Sequence, residues 1–266
     1  MIPKKIHYCW FGGNPLPELA CKCIESWRKY CPDYTIIRWD ESNYDFSAVP
    51  LYVRQAFEAK KWAFVTDYVR LQVVFEQGGV YMDTDVELLK PIDHLLEHQA
   101  YFGFETSREV NTGIGFGAEP GARILREIMD DYQQIPFVLP DGSFDRTPCP
   151  ERNTQAFVRM GLKQDGSIQV LPDDVLILST EYLCPMDQMT KIVTITDRTL
   201  SIHHYDASWL TPEERLFADY RRSLMRFLPQ TVSGYIARGA AAVKVRGVSG
   251  LVDRIRRFVR NRTNRA

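Results

Sequence analysis

Apolar positions along the chain fall into two alternating rhythms. Residues 3–11 read as a strand closing on Cys9-Trp10-Phe11, and Gly12-Gly13-Asn14-Pro15 reads as a turn. From 17 to 30 the period lengthens. Leu19, Cys23 and Trp27 recur at i, i+4 and i+8 with Ala20 and Ile24 beside them, which predicts a helix that Cys31-Pro32-Asp33 stops. Tyr34–Trp39 is β-branched and aromatic, a second strand. Strand, helix and strand at this spacing open a parallel α/β sheet.

Residues 51–77 carry a long helical pattern with a candidate break at Lys60-Lys61, capped by Gly78-Gly79. Val80-Tyr81-Met82 follows as a strand. Residues 100–105 and 113–118 are glycine-spaced strands around a polar loop, 106–112. A helix is expected over 121–132, an irregular proline-rich loop over 136–153, and late strands at 175–178 and 192–195. No internal repeat or low-complexity segment appears. The expected division is a catalytic body, 1–210, and a helical tail, 211–266.

Charge sharpens that division. Residues 220–266 hold 12 Lys or Arg and a single acid, Asp253, a formal +11, against −12 on the rest of a chain whose total is −1. In the tail, Leu216, Phe217, Tyr220 and Leu224 alternate with Arg215, Arg221 and Arg222. Later Val252, Ile255 and Val259 alternate with Arg254, Arg256 and Arg257. These are basic amphipathic helices of the kind that lie on an anionic membrane, or that pack on a body as solvated helices. No apolar run approaches the ~18 residues that span a bilayer, and the N-terminal segment lacks the apolar core of a secretory signal. The expected location is cytoplasmic, on the inner face of the cell membrane. The six cysteines then read as thiols, and without a Cys-x-x-Cys pair as buried small residues rather than zinc ligands.

The chemistry concentrates after Gly78-Gly79. In Val80-Tyr81-Met82-Asp83-Thr84-Asp85 two carboxylates stand one residue apart at a strand end. Crowded carboxylates repel unless a cation joins them, and Mg²⁺ and Mn²⁺ prefer such oxygens with substrate phosphates. A solvated acidic turn gives the same pattern. Upstream, Asp67 and Arg70 share a helix face and could present a carboxylate and a guanidinium to a polar ligand; a plain helix ion pair is the alternative.

The run Ala63…Asp67…Arg70…Gly78-Gly79-Val80-Tyr81-Met82-Asp83-Thr84-Asp85 resembles the DXD-containing sugar transferases of glycosyltransferase family 32, including bacterial capsular polysaccharide transferases. It is also similar to the catalytic domains of the large glucosylating toxins. The opening Ile2–Gly12, Ser26-Trp27 and the segment His203-His204-Tyr205…Ser208-Trp209 share the resemblance; 106–153 does not match well, and the tail lies outside it.

The resemblance implies an α/β GT-A fold with a mixed, mostly parallel sheet, and a retaining hexosyl transfer from a nucleotide-sugar donor, UDP-sugar favoured, helped by Mn²⁺ or Mg²⁺. It implies Asp85 as metal ligand and Asp83 at the ribose and metal shell. Asp67 and Arg70 would bind donor hydroxyls, with Trp10 and Phe11 at the base pocket. An aromatic at a parallel-strand end is itself a stacking face where α/β sheets bind nucleotides. His203 and His204 are expected at the diphosphate, with His204 as a candidate metal ligand; alternation sends the two to opposite faces and leaves the choice open. Trp209 could donate its indole N–H to a phosphate, with Ser208 beside it. Tyr205–Leu210 is the expected lid. Glu105 and Asn111 flank a loop where donor or acceptor sugar could bind.

The expected partners are a nucleotide sugar, a saccharide or lipid-linked saccharide acceptor in capsule or other surface polysaccharide synthesis, and the anionic membrane, with no specific nucleic acid. Two rivals stand. One is a haloacid-dehalogenase-like phosphatase with Asp83 as nucleophile, although no later Gly-Asp-x-x-x-Asp is found. The other is a non-catalytic, membrane-attached sugar-binding protein.

Overall fold

The structure, a computed structural model, describes residues 1–206 and 212–263. Two compact units divide the chain, Met1–Tyr205 and Asp206–Ala266.

In the first unit the opening forms where the apolar spacing put it, as β1 (Lys5–Cys9), α1 (Glu18–Tyr30) and β2 (Thr35–Trp39). β1 and β2 pair in parallel, Lys5 opposite Thr35 and Cys9 opposite Trp39. α1 buries Ala20, Cys23, Ile24 and Trp27, a single stripe of an amphipathic helix. The pattern after residue 51 is two helices, α2 (Leu51–Glu58) and α3 (Trp62–Gln77). Lys60, at φ 54°, makes the break, because a left-handed residue cannot continue a right-handed helix. α3 ends at Gly78, φ 62°, where a side chain would be strained and would also strike Pro120 and Pro3.

Then come β3 (Gly79–Tyr81), β4 (Val86–Leu88), a 3-10 turn at Asp93–Glu97, β5 (Ala100–Phe104), β6 (Val110–Asn111), β7 (Phe116–Ala118) and α4 (Arg123–Gln133). The unit closes with α5 (Cys149–Arg159), β8 (Gln169–Leu171), β9 (Val175–Leu178), α6 (Thr180–Leu183) and β10 (Ser201–His203). The main sheet is mixed and runs β2-β1-β3-β7-β5-β9-β8, with β6 on β5. β1 pairs in parallel with β2 and β3, as β5 does with β9; β7 joins the two halves antiparallel to β3 and β5. β4 leaves this sheet and pairs antiparallel with β10.

A core lies on each face of the sheet. Tyr81 enters the core with Val53, Val69 and Phe157, while Val80 and Met82 enter the other with Ile24, Trp27 and Leu183. That is strand alternation, and it points the residue after Met82 back toward the Tyr81 face. The α/β class follows from these layers.

Two expectations are corrected, and two short strands had no signal in the sequence. Residues 149–153, the end of the expected proline-rich loop, instead begin α5, with Pro148 as N-cap and Pro150 in the first turn, where proline favours a helix. Residues 192–195 are not a strand: one isolated bridge joins Val193 to Met186, and Ile192 and Ile195 are exposed. Without a partner ladder a β-branched run stays irregular. β4 and β8, three residues each, are too short to show a period.

His7 locks this region. Its Nε2–H donates to the Gly78 carbonyl (2.9 Å), and its Nδ1 accepts from the Trp39 indole (3.1 Å). These partners fix one neutral tautomer. Burial pushes its pKa down to about 4. Between pH 6.5 and 4 the unfolded chain therefore binds a proton that the folded one refuses, so stability falls as pH drops through that window, by about 3 kcal/mol in all. In urea titrations His7→Gln should be flatter than wild type between pH 7 and 4; parallel curves would show that His7 stays neutral for no energetic reason.

In the second unit α7 (Pro212–Leu224) packs on α8 (Gln230–Thr263). Small residues Ser233, Ala237, Ala241 and Ala242 are buried. Arg246 Nε meets Glu213 at 2.7 Å, and the Arg238 guanidinium lies 5.3 Å from the Phe217 ring centroid. Gly247, φ 71°, interrupts α8. No helix among the described residues is long and apolar enough to cross a membrane.

Candidate functional site

The two aspartates occupy the junction between the sheets. β3 ends at Tyr81, and the chain turns with Val86 N–H on the Asp83 carbonyl (3.0 Å) before starting β4. A turn this tight presents both side chains at one end of the β1–β3 parallel pair, the edge where α/β sheets bind ligands. β4 is held from below by α1: the Trp27 indole donates to Val86 O (2.7 Å), and Ser26 Oγ accepts from Leu88 N–H (2.9 Å). The Ser26-Trp27 pair thus positions the turn from behind.

β10 delivers the third member. Its register sets His203 opposite Val86, and His203 Nε2 lies 3.3 Å from Asp85 Oδ1. Asp83, Asp85 and His203 each offer a ligand atom, all within 4.8 Å of one another. Alternation turns the next residue away. His204 Nε2 meets Glu87 Oε2 at 2.8 Å, and Lys22 Nζ reaches the same oxygen at 3.2 Å. The expectation of His204 as metal ligand is therefore corrected to His203. His204 braces the turn instead, its N–H donating to Asp85 O (3.0 Å).

From the other side α3 brings Asp67 and Arg70, one turn apart. Arg70 is buried, donates to Asp67, and places Nη1 3.5 Å from Asp83 Oδ2. Tyr81 Oη donates to Asp83 Oδ1 at 2.7 Å. Burial pushes the Asp67 and Asp83 carboxyls above the usual range, and Arg70 only partly offsets this. Burial works against charge on Arg70 and His203 too, but the carboxylates outweigh it and hold both protonated. Two carboxylates and an imidazole this close fit a divalent cation, whose binding would displace the imidazolium proton.

Other expected residues fall around this centre. Trp10 follows β1 at the same sheet edge, half-buried, its indole donating to Asn14 O (2.6 Å). Phe11 does not line a ligand site: it is buried, edge-on to Tyr44 and Phe46 at 6.3 and 5.7 Å, because alternation turns it into the core. Asn111 is buried, its Oδ1 accepting from Gly113 N–H (2.6 Å), so it shapes the loop. Glu105 is half-buried, and burial raises its pKa despite nearby His203, Asn111 and Tyr205, which favour its charged form. Ser208 and Trp209, and most of the expected lid, lie outside the described residues.

Sequence reasoning missed Cys149 and Gly113, and gave Tyr205 a place only in the lid. Cys149, at the start of α5, has Sγ 3.8 Å from Asn111 Oδ1, and Asp67 and Arg70 both act on its thiol; nothing in the sequence connects it to the site. Tyr205 packs on His203, ring centroids 4.2 Å apart. Gly113 accepts the Asp83 N–H (3.1 Å), and a Cβ there would sit 2.7 Å from Arg70 Nη1 and closer still to Asp83 Oδ2. The glycine spacing of 113–117 was the visible signal. Gly113→Ala should push the Arg70–Asp83 pair apart and cost about 1–3 kcal/mol by overpacking, with weakened Mn²⁺ binding by calorimetry. Unchanged binding would mean that the pair has room to yield.

Part of this chain resembles known proteins. Residues 17–102 match the family described as "Glycosyltransferase sugar-binding region containing DXD motif", a stretch holding Asp67, Arg70, Asp83 and Asp85. Inositol phosphoceramide mannosyltransferase 3 of Schizosaccharomyces pombe is 33% identical over 139 residues, 51% of this chain and 38% of that protein. The initiation-specific alpha-1,6-mannosyltransferase of Candida albicans is 26% identical over 128 residues, 45% and 33% of the two chains. The chain thus spans less than half the length of these curated relatives. Among solved structures, PaToxG glycosyltransferase aligns with 59% of this chain and 68% of its own at 18% identity and a TM-score of 0.45.

Proposed function

We propose that this chain, which carries a DXD-type glycosyltransferase sugar-binding region, is a metal-dependent glycosyltransferase of the family 32 kind. The observation that carries the proposal is the Asp83–Asp85–His203 cluster beside the buried Asp67–Arg70 pair. These three side chains would hold Mn²⁺ or Mg²⁺, and the nitrogen in the set favours Mn²⁺. Bound there, the cation would neutralise charge on a departing nucleoside diphosphate.

The protein's own groups do the rest. Arg70 and Tyr81 fix both oxygens of Asp83, so the carboxylate needs no reorganisation when ligand arrives. Asp67, held by Arg70, is placed to accept donor sugar hydroxyls. Trp10 offers an aromatic face at the same edge. No side chain stands out as a covalent nucleophile, which favours attack by the acceptor hydroxyl on the face the diphosphate leaves, with retention.

A UDP-hexose is the donor the resemblance implies, and the names of the relatives add mannosyl donors to consider. One of those relatives is named for inositol phosphoceramide, a lipid, which supports a lipid-linked acceptor and, with it, work at a cytoplasmic membrane face in surface polysaccharide synthesis. Phe227 and Tyr235 are 86% and 73% exposed in the basic second unit, suited to an anionic membrane surface. The double change Phe227→Asp and Tyr235→Asp should abolish co-sedimentation with phosphatidylglycerol vesicles; equal binding would remove the membrane from the proposal. For the reaction, UDP- and GDP-sugars with Mn²⁺ should be screened for slow nucleoside diphosphate release. No release from any donor, with folded protein and excess Mn²⁺, would defeat the glycosyltransferase reading.

A further inference from the structure

A pocket of 580 Å³ lies beside the carboxylate cluster, bounded by the end of β5, by α6 and by the loop after it. Its volume is in the range of small-molecule sites, and the diphosphate chemistry above does not use it. Its walls carry the carboxylates of Glu105, Glu181 and Asp187, the hydroxyl of Thr180 and the thioethers of Met186 and Met189; among the described residues no Lys or Arg lines it.

Two wall residues join the pocket to the cluster. Tyr205 packs on His203, which faces Asp85. Glu105 lies close enough to Tyr205 and Asn111 for both side chains to favour its charged form, and Asn111 holds the Gly113 turn whose carbonyl receives Asp83 N–H. The Tyr205 wall is fixed. Its φ is 52°, a conformation that costs a non-glycine residue energy and persists only where neighbours impose it. Lys191 Nζ reaches the carbonyls of His204 and Tyr205, each at 3.0 Å, and Tyr205 Oη lies 2.9 Å from Cys184 Sγ.

The lining chemistry selects the ligand class. Three acidic side chains line the pocket, one of them, Glu181, 3.7 Å from Arg198, and no lysine or arginine in the lining is offered to a diphosphate, which such a wall does not attract. Carboxylates and hydroxyls do suit a ligand rich in hydroxyl donors, and the Tyr205 ring and Met side chains suit its C–H faces. We infer that this pocket is the acceptor subsite and that it takes a neutral saccharide unit, with its reacting hydroxyl at the His203 edge. The inference rests on the glycosyltransferase reading for its place in a reaction, but sugar binding in the pocket is testable without turnover.

The probes are methyl glycosides of glucose, galactose and mannose, both anomers, followed by saturation-transfer NMR on the full chain. UDP and GDP affinity in Mn²⁺ is measured alongside by calorimetry. Thr194→Trp and Met189→Trp, both at exposed lining positions, would fill the pocket without touching either core. At least one glycoside should receive saturation, and either variant should weaken that binding about tenfold or more while leaving nucleotide affinity within twofold. If no glycoside binds, if binding survives in both folded variants, or if nucleotide affinity falls with the sugar signal, the assignment is wrong. The last result would make the pocket a donor site. Glycoside binding with no nucleotide binding at all would instead leave the pocket standing and remove the proposed function.

Discussion

Asp85→Asn should abolish detectable transfer while the protein remains folded. Asparagine keeps the size of the side chain but removes one of two charges from the candidate cation site, and its oxygen is a far weaker ligand for a hard cation. Loss of one preorganised electrostatic group at developing charge is worth on the order of 10²–10³-fold in rate, and loss of the cation with it compounds the effect. Calorimetry should show Mn²⁺ affinity falling in parallel. Stability should change little, because the substitution relieves repulsion from Asp83 as it removes the Asp85–His203 contact (3.3 Å). Transfer within tenfold of wild type in Mn²⁺-replete buffer would rule out Asp85 as a ligand that matters.

Arg70→Met should have the largest effect on stability. Arg70 is 4% exposed and serves two carboxylates, Asp67 (7% exposed) and Asp83. Removing this guanidinium strips both of the cation in direct contact with them, and breaking a buried pair in this way costs about 3–5 kcal/mol. The carboxylates can relieve part of it by taking up protons, so the loss should be greater at pH 8 than at pH 5. Adding Asp67→Asn to Arg70→Met should recover about 1 kcal/mol or more, the signature of coupled neighbours. Denaturant titrations of the two single variants and the double variant measure this directly. Additive losses would mean that Asp67 and Arg70 do not depend on each other. Transfer should also fall, since Asp83 would lose the partner that fixes its Oδ2.

Much of the architecture is written in local pattern. The α1 stripe of Ala20, Cys23, Ile24 and Trp27, the helix break at Lys60 and the Gly78 stop are local events, set by spacing and by backbone conformations that few residues tolerate. α5 is hidden in the sequence because proline usually favours loops, whereas proline in a first helical turn removes a donor that has no partner there anyway. The run at 192–195 misled because β-branched residues state a preference, and only a neighbouring strand can satisfy it.

The site divides in the same way. Asp67, Arg70, Asp83 and Asp85 fall within 19 residues of chain, and their types and spacing, joined to the family resemblance, point to a cation and a polar ligand. The choice between His203 and His204 depends on the β4–β10 register, which sets His203 against Val86 across more than 100 residues of sequence. Phe11 faces the core, Gly113 closes over Arg70, and Cys149 and Tyr205 reach the site from distant segments. Residue types and short spacings fix which chemistry the chain can offer, because they act through neighbouring bonds. Which side chains meet is decided by strand pairing and packing across the whole sheet, where a shift of a single residue would exchange one histidine for the other.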